Sequence, residues 1–479
     1  MKILFINPPF TRFGGMEGQG GKTAPLNLAY LAAYIREYHK PTPEIKILDA
    51  EGLRLSMEEV KQHIKDFLPD LVGMTMPTPA YDCVKEISRG IKNISPKIKI
   101  VVGGPHPSAF PETLIAEIPE IDFSIRGEGE IPLLELIKAL KENGNLDYIP
   151  SLSQKKDEKV FFNPERAFIK DLDSIPFPAR DLLPNEIYYT SLPKKMGTTK
   201  GHLVNIFSSR GCLYNCTYCE SYAIWERKVR LRSAQNVVAE IEECVKKYGA
   251  SEIVFHDDIF PINRERAIEI CRQMKEKKLD IHWACMTRVN FVWENVMIAM
   301  KEAGCRILNF GFESGSEVIL KNINKGATTE QARAAMRICK KIGLRTMGNF
   351  MIGNLGETEG TIRETINFAK ELNTDTIGVF VTIPYPGTKL YEQAKELGYL
   401  NEKTPWKDYA SVAVSEPPMR LPNLSPERLR YWQSRALREF YFRPAYILKR
   451  LREIRSWQDI KNLFDGFILF LKITLRISK

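Results

Sequence analysis

The sequence predicts an α/β protein made of two parallel-sheet units in series, followed by a helical tail. Three observations lead there. Short apolar strands alternate with amphipathic helices over residues 1–145 and again over 201–400. A proline-rich stretch separates the two runs, and beyond residue 401 the strand pattern stops while a helical, basic one continues. A chain of 479 residues is long enough for two or three domains.

In the first run, strands are expected at 2–7, 45–49, 71–76, 98–103 and 123–126, and helices at 26–38, 57–67, 81–94, 112–118 and 131–141. Leu28, Leu31, Ala32 and Ile35 fall on one face of the first helix. This repetition builds a Rossmann-like sheet, and ligands of such sheets sit at the carboxyl ends of the strands. Those ends carry unusual residues: Asn7-Pro8-Pro9, Thr75-Met76-Pro77-Thr78, Gly103-Gly104-Pro105-His106-Pro107 and Arg126-Gly127-Glu128-Gly129-Glu130. Glycine at a strand end lets the backbone approach a large flat ligand. No G-x-G-x-x-G follows the first strand, which speaks against a dinucleotide. Residues 146–200, with Ile175-Pro176-Phe177-Pro178, read as an extended connector.

The second run places strands at 204–208, 253–256, 282–285, 307–311, 345–352 and 376–383, with helices at 234–248, 264–277, 292–303, 329–342 and 358–372. Six strands with crossovers fit a partial, open (β/α)6 barrel, with its site at the carboxyl ends. The first strand delivers Cys212-Leu213-Tyr214-Asn215-Cys216-Thr217-Tyr218-Cys219, a C-x3-C-x2-C loop. Three thiolates in one short loop can hold three irons of a [4Fe–4S] cluster, which normally takes four cysteines, so one iron is left open. Structural zinc is the alternative. Zinc sites usually pair two C-x2-C knuckles, however, and no second knuckle lies nearby.

The later strand ends are polar as well: His256-Asp257-Asp258, Met286-Thr287-Arg288, Gly311-Phe312-Glu313 and Gly353-Asn354-Leu355-Gly356-Glu357-Thr358. An arginine fork matches a carboxylate bidentately, and a glutamate accepts from hydroxyls or an ammonium. Each has a plainer reading. Asp257 and Asp258 can cap the next helix, Gly356-Glu357-Thr358 can start one, and Arg288 can pair with Glu313.

The cysteine loop resembles that of the radical SAM enzymes. The strand-end motifs of the first run resemble the cobalamin-binding domain fused to one large branch of that family. The resemblance implies a [4Fe–4S] cluster on Cys212, Cys216 and Cys219. It implies S-adenosylmethionine (SAM) beside Tyr218, Asp257, Asp258, Arg288, Glu313 and Gly353. Cobalamin is implied beside Asn7, Pro8, Thr75, Gly103, Gly104, Glu128 and Gly129. One family element is absent: no D-x-H-x-x-G loop supplies a cobalt ligand, because His106 is followed by Pro107, Ser108 and Ala109. His106 therefore reads as structural, and cobalamin as bound without a protein lower ligand.

The activity implied is reductive cleavage of SAM to a 5′-deoxyadenosyl radical, coupled through cobalamin to methylation of an unactivated carbon. The substrate expected is lipid-like, a pigment or another secondary metabolite, and the electron donor a flavodoxin or ferredoxin. A cobalamin-linked cyclisation or oxidative rearrangement is the alternative. A non-catalytic, metal-bearing, membrane-associated binding protein is a lesser one. The tRNA methylthiotransferases, which carry a second cysteine triad in the N-terminal domain, match less well, because only Cys83 lies there.

Composition bounds the partners. The formal net charge is +10, yet residues 426–479 hold 13 basic and 5 acidic residues, so the excess belongs largely to the tail. A nucleic-acid partner is not expected for a nearly neutral catalytic body. Nine cysteines, six of them scattered singly, indicate a reducing compartment. The chain runs directly into its first strand and has no run of 18 apolar residues, so a cytoplasmic protein is expected. Residues 460–476 are apolar with interspersed Lys and Arg. They suit either a helix in the membrane interface, giving peripheral contact, or a helix lying over the substrate mouth.

Overall fold

The computed structural model describes residues 1–13, 23–111, 113–156, 159–188, 202–409, 417–454, 457 and 460. Five parallel strands, β1 (Lys2–Asn7), β2 (Glu44–Asp49), β3 (Leu71–Thr75), β4 (Lys99–Gly103) and β5 (Phe123–Ile125), lie in the order β2-β1-β3-β4-β5. Alternation along them decides the layers. Leu4, Ile6, Val72, Ile100 and Val102 pack beneath helices Met57–Phe67 and Tyr81–Ile94, while Ile3, Phe5, Leu71, Val101 and Phe123 pack beneath Leu26–Tyr38 and Glu130–Glu142. A reciprocal cap between Ser56 and Glu59 starts the Met57 helix.

Beyond β5 the sheet continues with β6 (Leu152–Lys156) and β7 (Lys159–Phe162), both antiparallel. These strands fall in the stretch read as connector. Their buried positions include Ser153 and Gln154, so no apolar alternation announced them.

In the second unit, β8 (His202–Ile206) leads into a two-residue ribbon of β9 (Ser209–Arg210) and β10 (Arg230–Leu231). Then follow β11 (Ala250–Phe255), β12 (His282–Thr287), β13 (Cys305–Glu313), β14 (Arg345–Ile352) and β15 (Thr376–Val381). The sheet runs β8-β11-β12-β13-β14-β15, entirely parallel, with β8 and β15 as its two edges, so the barrel is open as expected. Its outer face buries Ile253, Phe255, Trp283, Leu308, Phe310 and Phe350 under the crossover helices. Inner-face residues Val254, Met286, Asn309, Met347, Asn349 and Phe380 keep some exposure, so the inner face of the sheet is partly accessible. Crossover helices start at caps from Ser233, Asn263, Thr328 and Thr358.

Both edges are closed by side chains. The helix Pro426–Tyr441 lies along β15: Gln433 Nε2 donates to the Val379 carbonyl at 2.8 Å, and the Tyr441 hydroxyl meets both the N–H and the C=O of Ile377. At β8, Arg180 of the connector donates to the Asn205 carbonyl at 2.7 Å and Arg232 to that of Phe207 at 2.8 Å, with buried Glu240 bridging the two guanidinium groups. A second tail helix, Pro444–Arg452, follows the first. Most of the 460–476 run lies outside the described residues. Among those described, no helix is long and apolar enough to cross a membrane.

The segment after the barrel reaches back to the first unit. Trp406 sits against the rings of Tyr81, His106 and Phe110. His106 Nδ1 lies 3.3 Å from Thr78 Oγ1, and burial pushes the imidazole down to about 4. His106 is a core residue of that aromatic cluster.

Candidate active site at the junction of the two sheets

The cysteine loop is held on three sides. At its start, Gly211 has φ +93°, and a Cβ there would run into the Lys228 carbonyl, so only glycine makes this turn without strain. In its middle, Asn324 Nδ2 donates to Asn215 Oδ1 at 2.6 Å and Thr217 N to the Ile323 carbonyl at 3.0 Å. At its far side, Leu390 N donates to the Thr217 carbonyl at 2.8 Å. Cys216 is buried, whereas Cys212 and Cys219 are partly exposed. Burial pushes the Cys219 thiol up to about 12 and raises that of Cys212 as well. Metal ligation would displace those protons. Among the described residues, no three His, Cys, Asp or Glu side chains converge as one metal ion requires. A cubane takes each thiolate on a different iron and does not ask for that convergence.

Two of the residues expected around SAM, Arg288 and Glu313, come to this loop, in which a third, Tyr218, already lies. Arg288, at the end of β12, donates from Nη1 to Cys216 Sγ at 3.4 Å and lies over the Tyr214 ring, 3.5 Å from its centroid. Its Nη2 meets the Lys325 carbonyl. Glu313 ends β13 after a register shift and has φ +66°, a left-handed conformation costly for a non-glycine residue. It pairs with buried Lys325 at 2.7 Å, and Lys325 Nζ lies 3.3 Å from the Tyr218 hydroxyl. Arg288 and Glu313 do not pair directly. Each meets residue 325 instead, one at its carbonyl and the other at its ammonium. Lys325 escaped sequence reasoning, for it belongs to no strand-end motif.

The two aspartates divide. Asp257 is buried and accepts from Ser208 N at 2.6 Å, from Ser209 Oγ at 2.8 Å and from Ser208 Oγ, so its carboxylate braces the end of β8. Asp258 accepts from Ser221 Oγ at 2.6 Å, two residues beyond Cys219. Gly353, with φ +85°, lies beneath Leu429 of the tail helix.

A cavity of about 280 Å³ opens at the carboxyl ends of β3, β4 and β5. Thr75, Gly103, Gly104, Glu128 and Gly129 line it, and Gly73 and Gly127 join them. A Cβ on Gly127 would meet nothing within 4 Å, so the wall is recessed where a flat ligand would lie. Asn7 and Pro8 are not among the lining residues. Asn7 instead donates to Asp49 Oδ1 at 2.7 Å, and Tyr188 donates to the other oxygen of that carboxylate at 2.6 Å. Among the described residues no histidine lines the cavity. Its remaining wall comes from the barrel unit: Phe207, Arg210, Ile224 and Trp225.

At that wall the two units are joined by charge. Glu128 accepts from Arg210 Nη1 at 2.6 Å, from Arg230 Nη1 at 2.8 Å and from the Ile169 N–H at 2.8 Å. Glu130 accepts from Arg210 Nη2 at 2.5 Å. Arg210 and Arg230 were not anticipated, because the partners they meet lie 80 residues or more away in the chain. Arg210 both walls the cavity and precedes Cys212 by two residues, so the cavity and the cysteine loop adjoin.

Comparison with known proteins agrees with both halves. Residues 206–369 match the model of the radical SAM superfamily, and residues 18–137 that of the B12 binding domain. The uncharacterized methyltransferase PH0819 of Pyrococcus horikoshii is 38% identical over 98% of either chain. The anaerobic magnesium-protoporphyrin IX monomethyl ester cyclase of Rubrivivax gelatinosus is 30% identical over 82% of this chain and 70% of its own. Among solved structures, the radical S-adenosylmethionine methyltransferase TsrM from Kitasatospora setae, with cobalamin and a [4Fe–4S] cluster bound, superposes with a TM-score of 0.69. It is 19% identical, over 93% of this chain and 82% of its own, a likeness of fold.

Proposed function

The chain belongs to the radical SAM superfamily, in the branch that carries a B12-binding domain, and from that premise we propose that it is a cobalamin-dependent radical SAM methyltransferase. The observation that carries the reading is the shared wall. One cavity is lined by the strand ends of the first sheet and by Arg210, which leads directly into the cysteine loop. Cys212, Cys216 and Cys219 would hold the cluster, and the recessed glycine wall at Gly103, Gly104, Gly127 and Gly129 would take the corrin. When bound, these groups supply the chemistry: an electron to cleave SAM into a carbon radical, and a methyl group to transfer.

The residues of the chain have the complementary tasks. Arg288 offers a buried cation beside Cys216, and Tyr214 fixes its plane by stacking. Glu313 and Lys325 hold a paired charge next to Tyr218, poised to receive a zwitterion such as the amino-acid end of SAM. Asp257 keeps the base of the loop fixed to β11 through the two serines. The substrate would lie against the inner face of the barrel, where apolar Val254, Ile307, Met347 and Phe380 stand beside polar Asn205 and Glu252 and an amide pair, Asn349 Nδ2 to Asn309 Oδ1 at 2.6 Å. Such a face suits a large, weakly polar molecule, a lipid or pigment. An external one-electron donor, a flavodoxin or ferredoxin, completes the system.

Peripheral membrane contact fits the same reading. On the helix Pro444–Arg452, Ile447, Leu448 and Leu451 are exposed on adjoining positions of one face, immediately before the apolar, basic run at 460–476. Flotation with anionic vesicles, lost on truncation after residue 454, tests this point. Cyclisation is the second reading, favoured by the likeness to the protoporphyrin ester cyclase. The two are separated by incubating reconstituted protein with reductant, SAM, hydroxocobalamin and candidate lipids or pigments. Methyl transfer yields S-adenosylhomocysteine together with 5′-deoxyadenosine. 5′-Deoxyadenosine alone argues for cyclisation.

A further inference from the structure

We infer that Glu128 is the catch of an interdomain latch: its carboxylate grips Arg210 and Arg230 and thereby seats Cys212 in register with the cavity. The inference rests on the reading that the cavity takes cobalamin and the loop takes the cluster. It assigns the Arg-Gly-Glu-Gly-Glu motif a role apart from ligating the cofactor.

Four observations carry it. First, Glu128 is fully used. Its two oxygens accept from Arg210 Nη1, Arg230 Nη1 and the Ile169 N–H, which leaves little capacity for a ligand although the residue lines the cavity. Second, Arg210 and Arg230 are direct cross-strand partners in an antiparallel ribbon of only two residues per strand. Like charges directly opposite repel, and so short a ribbon is not stable alone. The glutamate from the other unit reconciles the two cations.

Third, Arg230 is committed to this contact. It is mostly buried against Phe168 and Trp225, and its hydrogen bonds all run from Nη1, to both oxygens of Glu128 and to the Ile169 carbonyl, while Nε and Nη2 make none. Fourth, the lever to the cluster is short and stiff. Arg210 is followed by Gly211, locked at φ +93° against the Lys228 carbonyl, and then by Cys212. Docking of the first unit therefore organises the ribbon, and the ribbon sets the first cysteine. Glu128 and Arg210 are positioning residues, acting through Cys212.

The test uses the full chain without its cluster, read by the rate of Cys212 alkylation with iodoacetamide. Peptide mass spectrometry follows the reaction, with buried Cys83 as internal control, and hydroxocobalamin binding is measured in parallel by absorbance. In E128Q, Cys212 should alkylate roughly tenfold faster than in wild type, the scale of one lost charge-assisted contact. Hydroxocobalamin should slow Cys212 alkylation in wild type, and this protection should be lost in E128Q. E128D, which keeps the charge with a shorter reach, should fall between, and it carries the test if E128Q does not fold. Unchanged alkylation in both variants overturns the latch. So does a large loss of hydroxocobalamin binding without faster alkylation, which would make Glu128 a direct cofactor contact. If wild type itself binds no cobalamin, the cavity reading fails, while the alkylation rates still decide the latch.

Discussion

Arg288 lies over the ring of Tyr214, 3.5 Å from its centroid, while donating to the sulfur of Cys216 at 3.4 Å. A buried cation bonded to a cluster sulfur stabilises the reduced, more negative state of the cluster. R288Q, which removes the charge and keeps a planar donor, should therefore make the cluster's midpoint potential more negative. An EPR-monitored redox titration reads this directly, and an unchanged potential would separate Arg288 from the cluster.

The pair of Glu313 and Lys325, at 2.7 Å, is buried on both sides. Removing one partner of such a pair leaves an uncompensated charge and costs about 3–5 kcal/mol. K325M alone should destabilise the apoprotein by that amount in urea, whereas E313Q/K325M together should cost clearly less. Additive losses would show that the pair is not coupled.

At Gly103 a Cβ would touch only the Ile125 carbonyl, at 3.5 Å, and the residue lines the cavity. G103L should thus leave the fold stable to within about 1 kcal/mol while filling the space beside the sheet. Gel filtration with hydroxocobalamin should show the cofactor retained by wild type and lost from the variant.

His106 provides a pH signature. Burial among Tyr81, Phe110 and Trp406 holds its imidazole at about 4 instead of the ordinary 6.5. The unfolded chain takes up this proton as the pH falls through 6.5, and the folded chain only near 4. The stability conferred by the neutral ring is full above 6.5 and declines between those values, by about 3 kcal/mol at most. In H106F the fall in denaturation midpoint between pH 7 and pH 4.5 should be correspondingly shallower than in wild type. An identical fall in both proteins would place the acid sensitivity elsewhere.

Much of this architecture is legible in the sequence, because parallel strands buried on both faces are continuous apolar runs whose polar ends stand out. All six barrel strands lie where the pattern puts them, and Arg288 and Glu313 come to the cysteine loop that holds Tyr218. What the sequence conceals is partnership across distance. Glu128 reads as a cofactor contact because it ends a strand, yet its partners are 82 and 102 residues away. Asp257 reads as part of the SAM shell, yet three serine donors take up its carboxylate. Asn7 stands at a strand end like the others, but it turns to Asp49 at 2.7 Å. A motif shows which residue is polar, and the fold decides what that polarity meets.

The account's central claim is that one site brings together a three-cysteine cluster and a cobalamin cavity. Anaerobic purification followed by metal and cobalamin analysis addresses it most directly. The claim requires a brown protein with about four irons and about one cobalamin per chain, the iron being lost when Cys212, Cys216 and Cys219 are replaced by alanine. A colourless protein carrying one zinc per chain and binding no cobalamin would contradict it.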